Sequence, residues 1–141
     1  MEARDIAIAI ARARIALGGA AIGMPGLAGR AMFGRAGSGP GARGFARMIG
    51  GRDAALGLGV VIALDRGAPV RGWLEACALA DGVDLVSCLI ARDDIPDGTF
   101  ANVVALTAGS IAAGLWLSRR LDPAPPAVPG HPEAIATGHP S

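Results

Sequence analysis

The chain has 141 residues, of which 52% are hydrophobic and 18% are charged, and its mean hydropathy is +0.46. This length accommodates a single domain, and the charged fraction is below the roughly 25% that is typical of soluble domains. Thirteen arginines, no lysines and twelve acidic residues leave a net charge of +1, which gives no electrostatic reason to expect a nucleic-acid partner.

The first apolar segment covers residues 3–24 and is interrupted by Arg12 and Arg14 near its middle. The two arginines lie about 200° apart around a helix, so they cannot face the same neighbour. We expect one to pair with an aspartate of another helix, and the other either to extend towards the interface or to mark a later start of the span. A short interfacial helix is the alternative. Acidic Glu2 and Asp5 near its start are atypical of a cleavable signal peptide.

A stretch rich in glycine and arginine follows at residues 25–43. Its apolar and basic side chains are compatible with a short helix at the level of lipid headgroups: Leu27, Arg30, Met32, Phe33 and Arg35.

The second apolar segment, residues 44–64, contains an adjacent pair of opposite charges, Arg52 and Asp53. Neighbouring residues point about 100° apart on a helix. One of the pair is therefore expected to address the third segment and the other the first. A face on which another helix could approach closely is formed by small residues: Gly51, Ala55 and Gly59.

The third apolar segment, residues 72–91, has a polar stripe with spacings of four, three and four: Cys77, Asp81, Asp84 and Cys88. The outer two residues are too far apart to ligate one metal, and no histidine lies in any apolar segment, so we expect no metal site. The cysteines are too distant for a disulfide and are expected to pack as small hydrophobic residues.

The fourth segment, residues 99–118, has no charged residue and is long enough to cross a hydrocarbon core of about 30 Å. It ends at Arg119 and Arg120, with Trp116 where an interfacial aromatic residue is expected. A buried helix of a soluble bundle is the alternative. Small residues recur every four positions: Ala105, Gly109 and Ala113.

Residues 121–141 contain six prolines and are expected to be disordered. Both histidines, His131 and His139, lie in this tail, which removes the usual general base from the folded part. We therefore expect neither an enzyme nor a cofactor.

The sequence as a whole predicts an all-α, four-helix transmembrane bundle at residues 1–120. Ionised groups in a span are costly and usually face the bundle interior. An interior cluster in which the charges cancel is therefore predicted, as a ligand site or as structural ion pairs: Arg12, Arg14, Arg52, Asp53, Asp81 and Asp84. Four spans place both termini on one side of the cell membrane. Near the span ends, five arginines fall on each side of the membrane, which leaves the orientation undecided, and cytoplasmic termini are the default expectation.

The chain also resembles a family of small actinobacterial four-helix integral membrane proteins of uncharacterised function. The resemblance covers approximately residues 10–118 and is carried by three elements: Arg14-Ile-Ala-Leu-Gly18, Gly51-Arg52-Asp53-Ala-Ala-Leu-Gly57 and Leu79-Ala-Asp81-Gly-Val-Asp84. It implies the same architecture, brings no substrate, and points to Arg14, Arg52, Asp53, Asp81 and Asp84 as the positions to test.

Three interpretations of function follow. In the first, the cluster only fixes helix packing, and the protein is a structural or partner-binding membrane subunit. In the second, the cluster binds a proton, an ion or a small polar molecule, and the protein is a small transporter or transporter subunit. In the third, the protein is a soluble or peripheral helical protein. The expected partners are the lipid bilayer and either a second copy of the chain or another membrane protein.

Overall fold

The computed structural model describes residues 2–121, and every regular element in that range is helical. The α-helices are α1 (Ala3–Gly23), α2 (Pro25–Phe33), α3 (Pro40–Asp65), α4 (Arg71–Ile90) and α5 (Asp97–Leu121), with short 3-10 helices at Gly34–Ser38 and Arg92–Asp94. The prediction of an all-α protein is confirmed for this part of the chain. The tail predicted at residues 121–141 lies, apart from Leu121, outside the described residues.

The four predicted apolar segments correspond to α1, α3, α4 and α5, and each helix end lies within four residues of its expected position. The largest difference is at the start of α3, where Pro40 occupies the first helical turn. Proline is favoured there because the first N–H groups of a helix have no intrahelical partner. Pro25 starts α2, the short helix within residues 25–43, in the same way.

Consecutive long helices run antiparallel. Near the start of α1, Arg4 donates a hydrogen bond from Nη2 to the backbone oxygen of Leu64, at the end of α3, over 3.1 Å. Near the end of α1, Gly18 lies against Gly50, in the first half of α3. Helices α4 and α5 form a second antiparallel pair, in which Gly114 lies against the Leu74 backbone.

Glycines set the close approach of α1 and α3. A Cβ atom at Gly18 would lie 2.5 Å from the Gly50 backbone oxygen, and one at Gly57 would lie 2.7 Å from the Ala11 oxygen. Both separations are too short for any side chain, so these helices touch backbone to backbone.

Of the three glycines singled out from the sequence for close helix contacts, Gly59 makes one, because the Trp73 ring of α4 lies directly against it. The Cβ directions of Gly51 and Gly109 open into free space, and the contacts run instead through Gly50 and Gly114. The reason is the position of Asp53: it shares a helix face with Gly50, and this face turns towards α1.

The interior of the protein contains alanines, valines and a few leucines, whereas many other large apolar side chains point outwards. The interior set includes Ala7, Ala11, Val60, Ala63, Val70, Leu74 and Leu117. The outward set includes Leu17, Leu79, Ile90 and Leu106, which are 72%, 71%, 82% and 74% exposed. This polarity is opposite to that of an ordinary soluble domain, in which large apolar side chains are the ones most often buried.

Two helices, α1 and α5, are long and apolar enough to cross a membrane. Only 17% and 11% of their most apolar windows are buried, whereas the core helix of a soluble protein would be mostly buried. Helices α3 and α4 were also predicted to be spans. They are long enough, but charged residues interrupt them, and they are not among the helices that qualify as candidate spans.

Candidate functional site: an interior arginine–aspartate network

Five charged side chains meet at the centre of the protein: Arg14 from α1, Arg52 and Asp53 from α3, and Asp81 and Asp84 from α4. Each lies within about one helical turn of the midpoint of its helix. Because the helices are antiparallel and of similar length, their midpoints fall at one level, and residues far apart in sequence come together there.

Arg14 is the most enclosed cation of the network, with a side chain that is only 10% exposed. Its Nη1 donates to Asp53 Oδ1 over 3.1 Å, and its Nη2 pairs with Asp81 Oδ2. Nη2 also lies 3.1 Å from the hydroxyl oxygen of Ser110 in α5. One guanidinium therefore links α1 to each of the other three long helices. The flat array of five N–H donors on arginine suits this role, which a lysine ammonium could not fill in the same geometry.

Arg52 joins α3 to α4 through a two-point contact with Asp84. Nη1 donates to Oδ1 over 2.9 Å, and Nη2 donates to Oδ2 over 2.6 Å. Paired parallel hydrogen bonds of this kind are the strongest geometry available to arginine and a carboxylate. About a third of each side chain remains exposed, so this pair lies nearer the surface of the protein than Arg14 does.

Asp53 connects the two arginines. Its Oδ1 accepts from Nη1 of Arg14 over 3.1 Å, and from Nε and Nη2 of Arg52 over 3.2 and 3.1 Å. The network is therefore continuous from Asp81 through Arg14, Asp53 and Arg52 to Asp84. Arg52 contacts α4 and Asp53 contacts α1, so the pair addresses two different helices, and the two neighbours also contact each other.

Ser110 belongs to the site and was missed by sequence reasoning. Its hydroxyl donates to Asp81 Oδ2 over 2.5 Å and accepts from Arg14 Nη2. The fourth segment was treated as uncharged and therefore without a site residue. A usable signal was present, because Ser110 is a polar residue at the midpoint of an apolar helix and shares a face with Gly114 and Leu117.

Arg12 does not join the network that the sequence predicted for it. Its side chain is exposed, and it forms no ion pair with any residue in the range 2–121. Arg14, in contrast, shares a face with the buried residues Ala7, Ala11 and Gly18, and only this face of α1 turns inwards. The expected cancellation of charge is therefore wrong: with all groups ionised, two guanidinium groups face three carboxylates and leave one excess negative charge.

The two cysteines are buried and form no disulfide with each other. Cys77 lies one turn before Asp81 on the inner face of α4, and Cys88 lies one turn after Asp84. Within residues 2–121, no three side chains of histidine, cysteine, aspartate or glutamate are grouped so that they could hold a metal ion.

A small cavity lies beside the network, between all four long helices. Its volume is about 20 Å³, which is room for about one water molecule. Arg14, Cys77 and Ser110 form its polar part, and apolar residues such as Val60 and Leu117 form the rest. Within the described residues, no buried side-chain nitrogen or oxygen lacks a hydrogen-bond partner. The arrangement is thus suited to holding four helices in register, with space for a water or a proton beside it.

No protein-family model matches this chain, and the searches of curated proteins and of solved structures gave no match either, so the geometry of the site alone bears on its role.

Proposed function

We propose that this protein is an integral membrane protein whose long helices α1, α3, α4 and α5 form a four-helix transmembrane bundle. In this bundle the arginine–aspartate network holds the helices together. In this proposal the protein acts as a structural or partner-binding subunit, not as a catalyst. The observation that carries the proposal is the inverted polarity: ion pairs occupy the centre, and large apolar side chains cover the outside. Such a surface is unfavourable in water but matches a lipid environment, where ionised groups face the interior of a bundle.

Helix lengths and aromatic positions support the same proposal. The four long helices contain 20 to 26 residues, which corresponds to about 30–39 Å at 1.5 Å per residue. This range covers the thickness of a hydrocarbon core. The two tryptophans, Trp73 and Trp116, lie near the same end of the bundle, in the first turns of α4 and the last turns of α5. Half-exposed tryptophans at that level are typical of a membrane–water interface.

The carboxylates of the network are all paired with arginines, which supports a structural role. Every carboxylate in it accepts at least one hydrogen bond from an arginine, and Arg14 reaches three other helices. In a low-dielectric interior, pairs of this kind specify which helix faces meet, because any other packing leaves an uncompensated charge. A subunit that presents a fixed outer surface to lipid or to a partner requires this kind of specification.

The test is alkaline carbonate extraction of membranes from cells that express the tagged full chain. Retention in the pellet is expected. Release into the supernatant would overturn the proposal and favour the soluble or peripheral alternative. That alternative has one observation in its favour, the exposed Arg12 near the middle of α1, since a guanidinium facing lipid at that depth is costly.

A small transporter or transporter subunit is the second candidate, and the charge count of the network favours it. Two arginines against three aspartates leave a negative charge next to a cavity with room for a water molecule. A proton or a small monovalent cation would balance that charge. Proteoliposomes that contain a pH-sensitive dye distinguish the candidates. Proton flux that Asp84→Asn abolishes in a folded protein supports transport, whereas loss of folded protein without any separate flux supports the structural role.

A further inference from the structure

A groove outside the network runs along the outer surface where α3 meets the start of α4. Its volume is about 380 Å³, which is within the range of small-molecule binding sites. Its exposed lining residues are Ala55, Leu58 and Ile62 of α3 and Trp73 of α4, and the buried residues Gly59 and Ala63 lie beneath them.

The wall formed by Trp73 is fixed in place by a glycine. A Cβ atom at Gly59 would lie 2.2 Å from the indole ring of Trp73, so the ring lies directly against the α3 backbone. Any larger residue at position 59 would displace the ring and close or reshape the groove. The indole remains 43% exposed, so it also presents an apolar face to whatever occupies the groove.

The mouth of the groove has a guanidinium group that has no partner within residues 2–121. Arg66, directly after the end of α3, lines the groove and forms no ion pair or side-chain hydrogen bond with any residue in the range 2–121. Two other arginines at this end have protein partners: Arg71 pairs with Glu75 over 2.7 Å, and Arg4 donates to the Leu64 backbone oxygen. The free positive charge is therefore placed at one end of an otherwise apolar channel.

The length of the groove matches one leaflet of a bilayer. From Ala55 to Arg66 the helix advances eleven residues, or about 16 Å at 1.5 Å per residue. Half of a typical hydrocarbon core is about 15 Å. An acyl chain that begins at the level of Arg66 would therefore end near Ala55.

We propose that this groove binds an anionic phospholipid, with the headgroup phosphate on Arg66 and one acyl chain lying along the exposed residues Ala55, Leu58 and Ile62 beside Trp73. The inference rests on the proposed membrane location. It commits to a lipid because the site combines an apolar channel of leaflet depth with a single cation at its mouth. A free phosphate would use the cation alone, and a zwitterionic lipid would offset its phosphate with its own positive group.

The experiment uses the full chain, delipidated in a mild detergent, and measures bound lipid by native mass spectrometry. The probes are phosphatidylglycerol and phosphatidylcholine with identical acyl chains, and inorganic phosphate as a competitor. We expect the wild type to prefer phosphatidylglycerol and Arg66→Gln to lose about fivefold in affinity for it, as one arginine near an anionic membrane surface contributes about 1 kcal/mol. Ala55→Leu, which adds bulk at the end of the groove far from Arg66, should weaken binding of both lipids. Phosphate should not compete.

Arg120→Gln is the matched control, because Arg120 is exposed at the same end of the bundle, beside Trp116 and outside the groove. It should bind as the wild type does. Equal losses in Arg66→Gln and Arg120→Gln would overturn the inference, as would competition by phosphate or full binding by Ala55→Leu. Carbonate extraction of the same samples separates the two proposals. A protein that stays in the pellet but has no lipid preference refutes the groove alone, whereas a released protein refutes both.

Discussion

Arg52 and Asp84 face each other across α3 and α4 through two nearly parallel hydrogen bonds of 2.9 and 2.6 Å. If this pair is structural, then removing Asp84 alone should be worse than removing both partners, because Arg52 is then left with only the Asp53 carboxylate that it shares with Arg14. We expect Asp84→Leu alone to lower the free energy of unfolding by about 2–3 kcal/mol. The double variant Arg52→Met with Asp84→Leu should recover most of that loss. The measurements are abundance in membranes and thermal unfolding in detergent. A double variant that is less stable than either single variant would contradict the structural role.

Arg14 and Arg12 provide a matched pair on one helix. Arg14→Met removes a guanidinium that contacts Asp53, Asp81 and Ser110, so it should destabilise the protein by about 3–5 kcal/mol. Arg12→Met makes the same chemical change on the exposed face, and its effect should stay within about 0.5 kcal/mol in detergent. Thermal unfolding of the two variants side by side checks this. Similar losses of stability in both variants would show that the contribution of Arg14 does not depend on its interior position.

The excess carboxylate predicts that the three aspartates are not equivalent. In Asp53→Asn, Arg14 keeps Asp81 and Arg52 keeps Asp84, and the network becomes electrically neutral. In Asp81→Asn, Arg14 is left with only the carboxylate that it shares with Arg52. We expect Asp53→Asn to be the milder change, by about 1 kcal/mol or more in unfolding free energy. Chemical denaturation in detergent measures the difference, and a network in which all three amide variants behave alike would argue against this reading of the charges.

Two adjacent glycines in α1 should respond in opposite directions to alanine. Gly18→Ala places a methyl group against the Gly50 backbone oxygen and should cost about 1–3 kcal/mol through overpacking. Gly19→Ala extends into open space and should stabilise the helix by about 0.5–1 kcal/mol, because alanine is the better helix former. The shift in the midpoint of thermal unfolding relative to wild type decides the matter. An equal response at the two positions would mean that α1 and α3 do not touch through Gly18.

Much of the local structure followed from the sequence because it depends on local signals. Apolar runs at residues 3–24, 44–64, 72–91 and 99–118 predicted four long helices, residues 25–43 predicted a short one, and the structure has helices at those places. Which face of each helix turns inwards was harder to determine. The choice between Arg12 and Arg14, or between Gly50 and Gly51, depends on a rotation of about 100–200° around the helix axis.

That rotation is decided by several helices at once. Arg14 points inwards because Ala7, Ala11 and Gly18 on the same face allow α3 to come close. The sequence contains those small residues, but α1 also has alanines and glycines on its other faces, so no single helix identifies the contact. Ser110 shows the same limit: a lone serine in an apolar helix has no recognisable role until the helix opposite contributes Asp81.

The distribution of charge between the two helix pairs has a consequence for how the chain is assembled. The α1–α3 half holds Arg14, Arg52 and Asp53, a net charge of +1, whereas the α4–α5 half holds Asp81 and Asp84, a net charge of −2. During synthesis the α1–α3 half is therefore complete before Asp81 and Asp84 exist. The α4–α5 half then brings two negative charges for one net positive charge. Each half alone therefore carries uncompensated charge, and the two halves attract each other. Cutting the gene at the turn between Arg66 and Val70 and producing the two fragments together should thus yield a reassembled protein, while either fragment produced alone should be degraded.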